Sequence, residues 1–112
     1  MNIKESLSQI DLLSLKYGLR ILSLDYTDVT VLCRIGFSYD VFIQVYLNSA
    51  KKKLNLALIV GGSRIYGVDK EGGVYHKHPA SNPEIHIHLE KEVSLDEFIL
   101  ESIEILKEIE IL

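Results

Sequence analysis

The chain has 112 residues, of which 47% are hydrophobic and 25% are charged. This is an ordinary globular composition, so disordered and low-complexity classes are excluded, and the length suits one domain over residues 1–112. A formal net charge of −4 argues against a strongly basic nucleic-acid binder.

The first elements along the chain are a helix and then strands. Asn2 and Glu5 have the spacing of a capping box, and Gly18 is a typical C-terminal stop. Between Leu19 and Asp69, short β-rich segments alternate with turn signals, which predicts an antiparallel meander. The predicted strands cover residues 20–26, 29–35, 39–47, 54–60 and 64–68, with a candidate sixth strand at 85–89.

The last element is a second helix. Ser94 and Glu97 have the spacing of a capping box, and apolar residues then line one broad face. The whole pattern predicts an α+β fold: an antiparallel β-sheet meander of five to six strands with an N-terminal and a C-terminal helix. We expect both helices to pack on one face of the sheet.

Cysteine content and targeting signals limit the class of protein further. Cys33 is the only cysteine, so the chain has no internal disulfide and no zinc site made from several cysteines. The N-terminus lacks an apolar core of signal-peptide length, and no segment reaches the ~20 apolar residues of a membrane span. We therefore expect a cytoplasmic protein without a membrane partner.

All four histidines form two His-x-His pairs, His76 with His78 and His86 with His88. Residues two apart in an extended segment point to the same face, so each pair presents two imidazoles side by side. Histidine titrates near neutral pH, and two imidazoles around a phosphodiester can act as base and acid without a metal. The pattern therefore predicts acid–base chemistry on a phosphodiester.

Basic and aromatic residues surround this cluster. Arg64, Lys70 and Lys77 are predicted to hold phosphate oxygens. Tyr66 and Tyr75 offer stacking faces for an unpaired base. These five residues complete a candidate site for a nucleic-acid substrate.

Two other interpretations of the histidines stay open. Four imidazoles, His76, His78, His86 and His88, joined by Asp69 or Glu84, would suit a divalent transition metal such as zinc. Exposed histidines with no special role are the third interpretation. The spacing does not decide between a metal-free catalytic site, which needs no cofactor, and a metal-binding or protein-interaction module.

The negative charge is concentrated at the C-terminal end. Residues 1–89 carry ten basic and eight acidic residues, a net of +2, whereas residues 90–112 carry two and eight, a net of −6. The overall charge therefore says little about the histidine region. On the last helix, Leu100 and Ile111 lie opposite the apolar face, either as isolated surface residues or as an interface for a partner or a second copy in a homodimer.

The segments Arg64-Ile-Tyr-Gly-Val-Asp69, Tyr75-His-Lys-His78-Pro and Pro83-Glu-Ile-His86-Ile-His88 resemble the TumE-type toxin components of prokaryotic toxin–antitoxin pairs. That family carries an Arg-Tyr/Trp-Asp-Asn step followed by clustered histidines. The resemblance implies a toxin-like protein that acts on RNA and is paired with an antitoxin protein. It carries over to five catalytic positions, Asp69, His76, His78, His86 and His88, and supports a histidine-dependent ribonuclease as the main hypothesis.

Overall fold

The computed structural model describes residues 2–71, 74–82, 84–85, 87–89 and 92–112. Its elements in chain order are α1 (Ile3–Tyr17), β1 (Arg20–Tyr26), β2 (Thr30–Ser38), β3 (Val41–Asn48), β4 (Lys53–Val60), β5 (Ser63–Glu71), β6 (Val74–His78), β7 (Ile87–Leu89) and α2 (Leu95–Glu108). The strands lie in the order β1 to β7 in one antiparallel sheet, so each strand pairs with its neighbours in sequence. The predicted α+β meander with two flanking helices is confirmed.

The described sheet has seven strands, so the predicted number of five to six is wrong. The prediction missed β6, because three of the five side chains in Val74–His78 are histidine or lysine. The segment therefore lacks the regular alternation of apolar and polar residues that marks a half-buried strand. Pairing with β5 over five residues makes this segment a strand. The candidate strand at 85–89 is shorter than predicted and covers Ile87–Leu89.

Local capping residues define both helices as the sequence indicates. The side chain of Asn2 accepts a hydrogen bond from the Glu5 N–H, and Gly18 ends α1 in the left-handed conformation with φ of 66°. At α2, Ser94 and Glu97 form a reciprocal capping box. Neither described helix is long and apolar enough to cross a membrane.

Both helices cover the same face of the sheet, which we call the helix face. From α2, the fully buried ring of Phe98 stacks on Tyr66 of β5 with 5.0 Å between centroids. From α1, Ile10 lines a cavity together with Leu56 of β4 and Tyr75 of β6. The core therefore lies between the two helices and one side of the meander, and the other side of the sheet is left for a site.

Asp96 joins the two helices. At the start of α2, its carboxylate accepts hydrogen bonds from the hydroxyl of Tyr17 and, at 3.0 Å, from Nζ of Lys16. These two donors hold the pKa of Asp96 below its usual range. The end of α1 is thus attached to the first turn of α2 as well as to the sheet.

Cys33 is expected to be unreactive in the folded protein. Its side chain is fully buried on β2, and burial raises the pKa of the thiol to about 11. At pH 8 only about one thiol in a thousand would then be ionised. We expect Ellman's reagent to modify native Cys33 only as fast as the fold opens, whereas the denatured chain reacts at once. Rapid modification of the native protein would contradict this placement.

Candidate functional site

Three neighbouring strands bring the predicted acid and histidines together on the side of the sheet opposite the helices. Asp69 of β5 is the register partner of His76 of β6, and His76 is the partner of His88 of β7. Register partners in an antiparallel pair share a face, and Val68, next to Asp69, is fully buried on the helix face. These side chains therefore point away from the helices, together with His78. We call this side the histidine face.

A chain of hydrogen bonds links Arg64, His78 and Asp69. His78 is only 2% exposed, and its Nε2 lies 2.6 Å from Oδ2 of Asp69. Its Nδ1 lies 3.4 Å from Nη2 of Arg64. A guanidinium nitrogen can only donate, so Nδ1 accepts and the proton of the neutral ring is on Nε2, which donates to Asp69. His78 thus connects a cation to an anion, and its burial makes it a positioning residue.

Arg64 reaches this face because of a bulge in β5. In a regular strand, Arg64 would share a face with Tyr66, two residues away. The register with β4 shifts between Leu58 and Ile59, which pair with Tyr66 and Arg64, so Ile65 is an extra residue. The extra residue moves the Arg64 side chain to the histidine face, because a β-bulge changes the direction of the side chains beyond it.

Gly67 lies beneath this hydrogen-bonded chain and close to the backbone of β4. A Cβ at this position would lie 3.2 Å from the carbonyl oxygen of Leu56, 3.4 Å from Cδ of Arg64 and 3.6 Å from Cδ2 of His78. Only the carbonyl of Leu56 is closer than ordinary van der Waals contact, so the missing side chain chiefly allows the close approach of β5 to the backbone of β4. No sequence motif marks Gly67, because the need for a glycine here arises only from the contact with neighbouring strands.

His76 and His88 differ from His78 in that they are accessible. Their ring centroids are 5.9 Å apart and the rings are nearly perpendicular, with an interplanar angle of 80°. His76 is partly exposed and His88 is exposed. Two imidazoles at this separation can contact the same phosphodiester group. The fourth predicted histidine, His86, lies outside the described residues.

A depression of about 390 Å³ extends over the histidine face and reaches Arg64. Its lining residues come from four strands, β2 to β5: Leu32, Gln44, Tyr46, Asn55, Ala57, Ile59 and Arg64. Tyr46 gives this depression an aromatic ring, a feature that the sequence analysis missed. The signal was present in β3, where buried apolar residues alternate with Phe42, Gln44 and Tyr46.

The two tyrosines predicted to stack on bases lie on the helix face instead. Tyr66 is 2% exposed and Tyr75 is 7% exposed, and Tyr66 is stacked on Phe98. The hydroxyl of Tyr66 donates to the carboxylate of Glu101, and burial together with this bond raises its pKa. Enclosed rings offer no free face to a base, so neither tyrosine fits the predicted stacking role.

Two of the three predicted phosphate-binding residues are likewise on the helix face. Lys77, the partner of Val68, has its Nζ 3.8 Å from Glu101. Lys70 lies over the ring of Tyr75 and lines a separate depression with Lys52 and Lys53. Because adjacent residues of a strand point to opposite faces, these lysines cannot join the histidines. Only Arg64 remains with the histidine face.

The acidic residues of α2 lie away from the histidine face. Helix α2 packs on the helix face, so the thickness of the sheet separates its acidic side chains from His76 and His88. These side chains are Asp96, Glu97, Glu101, Glu104 and Glu108. The negative charge of α2 therefore does not border the candidate site.

The alternative metal site remains a prediction. Within the described ranges, no group of three or more His, Cys, Asp or Glu side chains is arranged to hold a metal ion. His86, one of the four predicted ligands, lies outside those ranges. The predicted ligand Glu84 is exposed, in the segment between β6 and β7.

Comparisons with known proteins do not identify a relative. No family model, no curated protein and no solved structure matches the chain. The resemblance to TumE-type toxins therefore stays a prediction based on the quoted residues. The geometry of the histidine face carries the functional argument.

Proposed function

We propose that this protein is a small toxin-like ribonuclease that cleaves RNA at the histidine face in the cytoplasm and is held in check by an antitoxin protein. The alignment of Asp69, His76 and His88 across three neighbouring strands carries this proposal. In this alignment, two accessible imidazoles lie beside the chain of hydrogen bonds that links Arg64, His78 and Asp69.

His76 and His88 divide the chemistry between them. One neutral imidazole removes the proton from the ribose 2′-hydroxyl, whose oxygen then attacks the phosphorus. The other, as imidazolium, donates a proton to the departing 5′-oxygen. The products are a 2′,3′-cyclic phosphate and a free 5′-hydroxyl, and no metal takes part. An imidazole ring can accept a proton when neutral and donate one when protonated, so one residue type suits both roles.

Arg64 and the depression hold the substrate. The guanidinium, held in place by His78, neutralises the phosphate as negative charge builds on its oxygens. Tyr46 presents its ring to an unpaired base, the kind of contact that single-stranded RNA makes with aromatic side chains. Asp69 does not touch the substrate in this scheme. Its role is to orient His78.

The test is cleavage of a single-stranded RNA by purified variants. We expect His76→Ala and His88→Ala each to lower the rate about 10²- to 10⁴-fold, which is the usual contribution of one general acid or base. An oligonucleotide with a single 2′-deoxyribose at the cleaved position should resist. Unchanged circular dichroism spectra serve as the folding control, and full activity in both variants would disprove the proposal.

Lysine and arginine variants separate the two faces. Arg64→Ala should lose activity about as strongly as a histidine variant, whereas Lys77→Ala, on the helix face, should stay close to the wild-type rate. EDTA should leave the rate unchanged. Loss of activity with EDTA and its recovery with zinc would favour the metal site instead.

The toxin role has its own readout in cells. Expression of the wild-type chain should inhibit bacterial growth, and the double variant His76→Ala/His88→Ala should not. Co-expression of a small neighbouring gene product should restore growth if it is the antitoxin. Growth inhibition by the double variant would show that toxicity does not depend on these histidines, which would contradict the proposed toxin mechanism.

A further inference from the structure

Strand β1 differs from the other long strands because every residue of it is exposed. Three of its apolar side chains, Ile21, Leu24 and Tyr26, are on the helix face, yet they are 38%, 44% and 57% exposed. Helix α1 therefore covers this end of the sheet only in part, although Ile3 and Leu7 of α1 line a depression together with Tyr26. The outer edge of β1 has no neighbouring strand in the described part of the chain.

The backbone groups on this edge are available for pairing. The N–H of Thr27 bonds to the carbonyl of Thr30 at the start of the hairpin with β2. In an antiparallel ladder the direction alternates, so the backbone groups of Leu24 and Tyr26 point outwards. An exposed edge strand with outward N–H and C=O groups is a template for another strand.

A bulge makes this edge complementary to itself. The register with β2 shifts between Ile21 and Ser23, so Leu22 is an extra residue. Because of this extra residue, the backbone groups of Ile21, which comes before it in the chain, also point outwards. Two copies of β1 that run antiparallel can then place Ile21 of one copy opposite Leu24 of the other, with both side chains on the helix face and both backbones directed at each other.

The same register matches the charges. On the histidine face it places Arg20 of one copy opposite Asp25 of the other, and twofold symmetry repeats this pair. The described residues contain no ion pair for either side chain. A shift by one residue would put Ile21 opposite Asp25, on different faces. The register with Ile21 opposite Leu24 therefore matches faces, charges and hydrogen-bonding groups at the same time.

We propose that the protein forms a symmetric homodimer in which two β1 strands pair antiparallel, Ile21 with Leu24 and Arg20 with Asp25, and join the two sheets into one. The partner is a second copy of this chain, because the edge complements its own sequence. The dimer does not depend on the ribonuclease proposal, since the interface lies at the opposite end of the sheet from β6 and β7.

Sedimentation equilibrium of the full chain at several concentrations tests the dimer. We expect the wild type to dimerise, and Arg20→Asp or Asp25→Arg to raise the dissociation constant about tenfold or more, because each creates two like-charge pairs. The double variant Arg20→Asp/Asp25→Arg should restore dimerisation. Recovery of this kind is specific to the proposed register.

Leu24→Pro tests the backbone pairing. The outward N–H of Leu24 takes no part in the ladder with β2, so proline removes an intermolecular hydrogen bond and leaves the internal ones in place. We expect a folded monomer. Lys107→Asp, with the same charge change as Arg20→Asp on a distant helix, should remain dimeric. A wild-type monomer at all concentrations, or a dimer unaffected by both Arg20→Asp and Leu24→Pro, would overturn the proposal.

Discussion

Replacement of Phe98 by alanine is expected to lower the free energy of unfolding by about 3–5 kcal/mol, the usual cost of removing a buried aromatic ring. The ring is fully buried, stacks on Tyr66 and holds α2 against β5. Domains of this kind are stable by about 5–15 kcal/mol in total, so the variant should be near the limit of folding. Urea denaturation followed by circular dichroism measures the change.

The matched control for this variant is Leu100→Ala on the same helix. Leu100 is 48% exposed, so its truncation should cost well under half as much as that of Phe98. The comparison also checks the orientation of α2, because rotation of the helix would exchange the two effects. Equal losses in the two variants would contradict the packing described above.

The second large effect is expected for Asp69→Ala. His78 is buried, and its Nε2–H donates to Asp69, so loss of the acceptor removes a hydrogen bond from a buried donor. Such a change costs about 1–3 kcal/mol of stability. It also removes the group that orients His78 and, through it, Arg64. RNA cleavage should therefore fall together with stability.

Asp69→Asn separates the hydrogen bond from the charge. The amide oxygen can still accept the Nε2–H of His78, so stability should be largely retained. Nitrogen NMR of the imidazole should show the tautomer with the proton on Nε2 in the wild type and in Asp69→Asn. A proton on Nδ1 in the wild type, or full stability in Asp69→Ala, would contradict the proposed chain of hydrogen bonds.

Local signals account for the parts of the fold that were predicted correctly. Asn2, Gly18 and Ser94 act within one or two turns of their own helices, through hydrogen bonds and backbone conformations that any surrounding structure would preserve. Five of the strands show β-rich segments between turn signals. Their order in the sheet follows because short connections favour neighbouring antiparallel strands.

Strand β6 and the faces of the site residues needed information from neighbouring strands. Val74–His78 has too little apolar alternation to be recognised alone, and only pairing with β5 makes it a strand. Alternation within β5 and β6 could have separated Lys77 and Tyr75 from the histidines. The predicted site combines residues 64–78 without this alternation, and four of its residues, Lys70, Lys77, Tyr66 and Tyr75, lie on the helix face.

By itself, the sequence of this protein determined its two helices, most of its strands and the clustering of its histidines, because capping, turn formation and the two-residue period of a strand act over a few residues. Only the tertiary structure decided which side chains meet. The bulge at Ile65 moves Arg64 to the histidine face, and the missing side chain of Gly67 allows a close approach to the carbonyl oxygen of Leu56. Register and close contact between strands are properties of the paired sheet, which no single segment contains.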